Sequence, residues 1–251
     1  MFSSAGATGC LAIGAVWGLL SRGSLAERHG DVEVHFGNHV APQGFAWVVP
    51  VNRGDQLFAR VGLMSETDAA SHFRRFAAQV SDSWGLTLPV DANGDIAPRQ
   101  KMLPLAPIER TYADRVLAVG DAAGLVKATT GGGIYYSLVS ASIAAGVLGS
   151  ALRANTLDAR TLSRYQKEWQ RRLGNELKAQ YSLRELAERM GDAEIDGLFD
   201  LAQTNGVMPI IRRTARFNQH RNLIVSLLKH APARRLLVKE FASRVVVSAL
   251  G

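Results

Sequence analysis

Residues 116–136 read VLAVGDAAGLVKATTGGGIYY and decide how the rest of the chain is interpreted. The run of Val and Leu at residues 116–119 predicts a buried strand. After it come Gly120 and Asp121, a loop of small residues, three glycines at 131–133 and the start of an apolar helix. Glycine lets a backbone approach a ligand closely, and a helix start offers unpaired N–H groups. We therefore expect a ligand site here.

The same residues resemble the second flavin motif of the geranylgeranyl reductase family, FAD enzymes related to the aromatic hydroxylases of the para-hydroxybenzoate type. The resemblance rests on GDAAG at 120–124 and on TGGGIYY at 130–136. It implies that Asp121 contacts the ribityl chain of FAD, and that the glycine-rich turn lies beside the pyrophosphate and the isoalloxazine ring. The cofactor-binding residues implied in this way are Gly120, Asp121, Ala122, Ala123, Gly131, Gly132, Gly133 and Ile134.

The first half of the usual FAD site is missing from the sequence. FAD enzymes of this type open with a strand, Gly-x-Gly-x-x-Gly, a helix and an acidic residue after the next strand. Residues 6–9 (GATG) have the wrong spacing, no strand before them and no acidic residue at the expected distance. We therefore expect the ADP-binding half to be absent, and the chain to match only the C-terminal portion of the family, from about residue 30.

Residues 1–30 are predicted to be an atypical apolar lead-in. Residues 1–23 contain five glycines and no basic residue before position 22. They lack the basic start of a signal peptide and are short for a membrane span. A targeting or membrane segment and a poorly ordered remnant of a longer chain both remain open.

Residues 31–110 are predicted to form a sheet domain on the substrate side. An antiparallel meander is expected at 32–36, 44–50 and 57–63, with Phe45, Trp47 and Val49 on one face. Aromatic residues are common in strands, so this face is either ordinary core or a ligand surface. The resemblance favours the second, because the segment is similar to the family signature that lines the isoprenoid cavity. It implies substrate contacts for Phe45, Trp47, Pro50, Tyr135 and Tyr136, with at least one of the two tyrosines facing the cavity.

The remaining sequence predicts helices. Residues 65–68 (SETD) cap a helix to about residue 83, with Phe73, Phe76 and Val80 in the core. Residues 134–152 are apolar on nearly every face, which predicts a buried helix. An amphipathic helix is expected from about residue 156, with Leu162, Tyr165, Trp169 and Leu173 on its apolar side. Further helices are expected at 191–203 and at 223–250.

The predicted fold class is α+β. It combines an antiparallel substrate-side sheet, an incomplete Rossmann-like FAD-binding element and a helical C-terminal tail. The corresponding segments are the lead-in (1–30), the sheet domain (31–110), the second FAD motif with its buried helix (111–155) and the helical C-terminal region (156–251).

The net charge of +7 is concentrated at the C-terminal end. Residues 212–251 hold nine Lys or Arg and one acid, Glu240. Such a run can meet nucleic acid, an anionic membrane or water. No nucleic-acid-binding module accompanies it, so we predict no nucleic-acid partner, and leave peripheral membrane contact and a solvated face open.

Few residues suit metal or redox chemistry. One cysteine, Cys10, excludes an internal disulfide, and the six histidines show no ligand spacing, so no metal site is predicted. A cytoplasmic location is expected, with membrane association through the basic C-terminal region as the open addition.

The function implied by the resemblance is that of an FAD-dependent oxidoreductase. It would reduce C=C bonds of a polyprenyl, geranylgeranyl-type lipid substrate by hydride transfer from reduced flavin. No catalytic side chain is assigned, because the cofactor carries the hydride chemistry, and the electron donor is not identified. Two alternatives stay open. One is a related flavin monooxygenase or halogenase, against which the aromatic strand signature argues; the other is a non-catalytic fragment unable to hold FAD alone.

Overall fold

The computed structural model describes residues 10–20, 31–54, 56–96, 98–204 and 206–235. The chain divides into two compact units, which we call the sheet unit (Cys10–Leu103) and the helical unit, whose described residues run from 104 to 235. The predictions made for residues 6–9, for the rest of 1–9 and 21–30, and for the end of the basic run at 236–251 lie outside the described residues.

The sheet unit is built on one antiparallel sheet. Its strands run in the order β2-β3-β4-β1-β5, and β6 also pairs with β1. The predicted three-stranded meander is confirmed as β2, β3 and β4. The strands are β1 (Cys10–Leu20), β2 (Glu33–His35), β3 (Phe45–Arg53), β4 (Gln56–Ser65), β5 (Leu86–Thr87) and β6 (Arg99–Pro104), and the helix α1 (Ala69–Trp84) follows β4.

Strand β1 corrects the prediction of an apolar lead-in. Residues 10–20 pair antiparallel with β4, from Ala12 opposite Ser65 to Leu19 opposite Phe58. They form an interior strand of the sheet, between β4 and β5. The sequence did not reveal this because a continuous apolar run has no alternation, and periodicity cannot separate a buried strand from other apolar segments.

Helix α1 covers one face of the sheet. Its residues Phe73, Phe76 and Val80 are buried as predicted, and they pack with Val48 and Leu63 of the strands. The predicted cap is wrong in detail, because Asp68 adopts a left-handed conformation and its side chain accepts no capping bond.

The helical unit confirms the α+β class but changes the strand before the motif. The predicted buried strand is only two residues long, pairs with β7 alone, and leaves Val116 44% exposed. The chain then turns at Gly120 into one 3₁₀ turn. The elements are β7 (Tyr112–Ala113), β8 (Val116–Leu117), the 3₁₀ turn (Gly120–Ala123), α2 (Ile134–Arg153), α3 (Ala159–Ala187), α4 (Asp192–Thr204), α5 (Val207–Thr214) and α6 (Arg221–Lys229).

Helices α2 and α3 form the core of the helical unit. The predicted amphipathic stripe of α3 is buried, and the helix continues through Gly174 without a break. Asp158 caps it by accepting a bond from the Thr161 N–H at 2.8 Å. The stripe consists of Leu162, Tyr165, Trp169, Leu173 and Leu177.

Helix α2 corrects the prediction of an all-round buried helix. Tyr136, Ser140 and Ile143 are buried on one side, whereas Leu138 and Leu152 on other sides are 67% and 62% exposed. Apolar composition alone did not show how much of the helix would find a packing partner. By length and composition only, α2 is also long and apolar enough to cross a membrane.

The C-terminal part of the helical unit is helical, as predicted. Helix α4 is confirmed, whereas α5 was not predicted. Of the expected helix at 223–250, the structure describes α6 and a helical stretch at 231–235, and residues 236–251 lie outside the described part of the chain.

Candidate functional site

The Gly-Asp turn of the motif is fixed by close backbone contacts. Gly124 has φ +68°, and a Cβ there would collide with the carbonyl of Ala106. The Gly124 N–H donates to the Asp121 carbonyl at 3.0 Å, and the Gly120 N–H donates to the Ser140 hydroxyl of α2 at 3.2 Å. Only glycine fits position 124, so the turn has one geometry and rests on α2.

The loop between the turn and α2 is closed around the backbone of Lys127. Its N–H donates to the Gly132 carbonyl at 3.0 Å, and its carbonyl accepts from the Gly131 N–H at 2.7 Å. Leu125 and Val126 are fully buried and anchor the loop from below. The triple glycine is therefore held as a defined turn.

Helix α2 has a glycine as its N-cap residue. Gly133 provides no side-chain bond, and the first turn contains no acidic residue. A Cβ on Gly133 would collide with the Asp121 carboxylate, which therefore lies against the helix start. A negative group is favoured there by the helix dipole. The structure thus brings the predicted residues Gly120, Asp121, 131–133 and Ile134 into one small region of the helical unit. Ala122 is exposed and Ala123 is buried, so Ala123 offers only backbone.

Lys127 is a site residue that sequence reasoning missed. Its side chain is only 5% exposed. The Nζ atom donates to the Phe217 carbonyl oxygen at 2.9 Å and lies 4.0 Å from the centre of the Phe217 ring. Burial lowers the pKa of Lys127. The available signal was a lysine standing alone among small and apolar residues.

Residues 217–221, which we call the 217–221 segment, contact the loop that precedes α2. The sequence analysis did not predict these contacts. The Thr129 hydroxyl lies 3.1 Å from Nδ1 of His220. The Glu176 carboxylate accepts bonds from the backbone N–H groups of His220 and Arg221, and so caps the start of α6. Burial and the nearby Lys127 charge lower the pKa of His220. The segment is distant in sequence, so no local pattern predicted these contacts.

The two tyrosines at the start of α2 have different environments. Tyr136 is fully buried, donates to the Asn218 carbonyl at 2.9 Å and accepts from Gln180 at 2.9 Å. Its burial raises its pKa to about 12. Tyr135 is half-buried and meets the Tyr136 ring edge-on at 5.3 Å. Tyr136 is therefore a core residue, and Tyr135 remains the candidate for substrate contact.

The aromatic residues of β3 form a surface of the sheet unit. Phe45 and Trp47 are half-buried on the face opposite α1, and their rings lie 5.5 Å apart. Gly62 stands opposite Trp47, and a Cβ there would collide with the indole ring. Pro50 pairs with Ala59 and follows the other parity of the strand, so it lies on the opposite face from Trp47. We therefore remove Pro50 from this aromatic surface. A common cavity for Trp47 and Tyr135 stays a prediction, since the two belong to different units.

A solved structure has the same fold as the chain. The geranylgeranyl bacteriochlorophyll reductase-like protein from Thermoplasma acidophilum matches 94% of this chain and 55% of its own chain, with TM-score 0.69 and 19% sequence identity. The chain thus has the α+β fold of that reductase-like protein. No family model matches the chain.

Curated relatives show similarity to one family. The chain is 35% identical over 173 residues to digeranylgeranylglycerophospholipid reductase 2 of Methanothermobacter thermautotrophicus, and 32% identical over 170 residues to digeranylgeranylglycerophospholipid reductase of Methanocaldococcus jannaschii. Over these residues the chain is similar to members of the geranylgeranyl reductase family. Each match covers 66% of this chain and 42% of the relative, so the chain spans less than half the length of these relatives.

Proposed function

We propose that the chain forms the flavin-side and substrate-side part of an FAD-dependent oxidoreductase that reduces C=C bonds of a polyprenyl substrate. The observation that carries the proposal is the turn at 131–133, held by the backbone of Lys127 at the start of α2. The names of the similar reductases support the substrate class.

The residues at this turn suit the cofactor. A helix start, glycines without Cβ atoms and a buried ammonium group are features that suit the pyrophosphate of FAD. Asp121 supplies a carboxylate of the kind that accepts bonds from ribityl hydroxyls. When bound, FAD would supply the hydride for reduction of the substrate.

The aromatic surface of the sheet unit suits a polyprenyl chain. Phe45 and Trp47 offer a broad apolar face. The missing Cβ of Gly62 lets the Trp47 indole pack directly on the neighbouring strand. Apolar pockets of ligand sites are commonly lined in this way. These residues would orient the polyprenyl substrate and exclude water from it.

An anaerobic turnover experiment tests the proposal. The purified chain is mixed with FAD, reduced chemically without oxygen, and given a geranylgeranyl lipid. We expect reoxidation of the flavin, followed by the visible spectrum, and a saturated product in mass spectrometry. Oxygen-dependent reoxidation with a hydroxylated or halogenated product would instead favour the monooxygenase or halogenase alternative. No flavin binding at any FAD concentration would favour the non-catalytic fragment.

We further propose a cytoplasmic protein with peripheral membrane contact through its basic C-terminal region. Arg212, Arg213 and Arg216 are exposed, and the adjoining Phe217 side chain is 83% exposed. Exposed arginines beside an aromatic anchor suit an anionic lipid surface. Co-sedimentation with vesicles tests this. We expect binding to phosphatidylserine vesicles but not to phosphatidylcholine vesicles. Binding to neither kind of vesicle, or equal binding to both, would contradict the membrane contact.

A further inference from the structure

Lys127 carries a charge that is buried without a carboxylate partner in the described part of the chain. Its one hydrogen-bond acceptor there is the neutral carbonyl of Phe217, and none of the ion pairs among described residues includes it. The nearby Glu176 carboxylate is occupied by the N–H groups of the 217–221 segment and by Gln180. Buried charges are normally paired, because an isolated one is costly to desolvate.

The ammonium group lies directly at the triple glycine. A Cβ built on Gly132 would stand 2.6 Å from Cε and 3.2 Å from Nζ of Lys127. The end of the lysine side chain therefore packs against the middle glycine. The same turn leads into the start of α2, whose dipole also favours a negative group.

We propose that Lys127 is the fixed positive charge that recognises an anionic group of the cofactor bound at the turn 131–133. This rests on the proposed function. The anion is either the pyrophosphate of FAD or the ring of the reduced flavin. Both groups are negatively charged, and a nearby cation stabilises either of them. The missing counter-charge of the lysine is then supplied by the cofactor, and the Phe217 carbonyl and ring hold the ammonium in place until it binds.

Neutral and charged replacements separate the charge from the hydrogen bond. Lys127→Gln keeps a donor for the Phe217 carbonyl but removes the charge, whereas Lys127→Arg keeps the charge. Lys167→Met, which removes an exposed charge from α3, is the matched control. Circular dichroism establishes that each variant is folded, and the arginine variant keeps the test decisive if the glutamine variant does not fold.

The measurements are affinities for FAD and riboflavin and the midpoint potential of the bound flavin. If the pyrophosphate is the partner, Lys127→Gln lowers FAD affinity about tenfold or more and leaves riboflavin affinity unchanged. If the reduced ring is the partner, the potential falls by about 30 mV, the equivalent of a tenfold shift for two electrons. Arginine restores either property, and the control changes neither.

Inorganic pyrophosphate distinguishes failure of this inference from failure of the proposed function. If the wild-type chain holds no flavin, the proposed function fails, and pyrophosphate is then tested as the probe by thermal unfolding. A rise in Tm for the wild type that Lys127→Gln loses supports the lysine's role. Equal flavin affinity and potential in both proteins overturns it, as does the absence of a pyrophosphate effect in the wild type that holds no flavin.

Discussion

The two units bury different kinds of side chain. Among the described residues, the sheet unit buries one polar side chain, that of Ser65, beneath an otherwise apolar core. The helical unit buries five, namely Thr111, Lys127, Ser140, Gln180 and Arg184. Burying polar groups is costly unless they are bonded, so a unit that contains several has a use for their fixed positions. The comparison indicates that the sheet unit is held by an apolar core, and that the helical unit fixes polar side chains in its interior.

The largest effect is expected in the apolar core of the sheet unit. Phe73→Ala removes a fully buried ring between α1 and the sheet, and should lower the free energy of unfolding by about 4 kcal/mol. Urea unfolding measures it. Arg74→Ala, at the exposed neighbouring position, should change stability by less than about 0.5 kcal/mol. Similar small losses for both variants would contradict a packed core here.

The next largest loss of stability is expected at a glycine in a tight turn, compared with a glycine inside a helix. Gly124→Ala should cost about 3 kcal/mol, because it strains a left-handed backbone and meets the Ala106 carbonyl. Gly174→Ala, inside α3 with only an ordinary contact to Gln170, should be neutral or stabilising. Thermal unfolding of the two variants compares them directly, and a tolerated alanine at 124 would show that the turn is not fixed as described.

Two buried tyrosines allow a hydrogen-bonded hydroxyl to be compared with one that has no hydrogen bond among the described residues. Tyr136→Phe deletes the hydroxyl that bonds Gln180 and the Asn218 carbonyl, and should cost about 2 kcal/mol. The buried Tyr165 hydroxyl makes no hydrogen bond within the described residues. Tyr165→Phe should therefore change stability little. Equal costs in denaturant titrations would remove the distinction between the two hydroxyls.

The smallest effect is a dependence of stability on pH. Burial and the Lys127 charge lower the pKa of His220, so below pH of about 6.5 the unfolded chain binds more protons than the folded one. Stability should therefore fall as the pH drops from 7 to 5. His220→Gln should flatten the Tm profile in this window. An unchanged profile in the variant would mean that His220 does not carry the effect.

Local patterns predicted the elements that obey a period. The two-residue alternation of β3 placed Phe45 and Trp47 on one face, and the spacing of Leu162, Tyr165 and Trp169 gave the buried side of α3. The same parity could have excluded Pro50 from the aromatic face. These results depend on geometry within one element, which the sequence contains.

Contacts between distant segments could not be predicted in this way. Strand β1 is defined by its pairing with β4 some 45 residues later, and an unbroken apolar run gave no period to indicate it. Likewise, the hydrogen-bond partner of Lys127 is the distant Phe217, and the partners of Tyr136 are Gln180 and Asn218. The motif located the candidate site, but the groups that bond Lys127 and Tyr136 come from α3 and from the 217–221 segment.

The central claim is that the loop from Gly120 to Gly133 holds FAD, with Asp121 as a direct contact. Titration of FAD into the purified chain, followed by the visible spectrum and flavin fluorescence, tests it most directly. We predict saturable binding by the wild type, loss of at least tenfold in affinity for Asp121→Asn, and no change for Asp196→Asn, an exposed control on α4. Equal affinity of the wild type and Asp121→Asn, or no binding by the folded wild type, would contradict the claim.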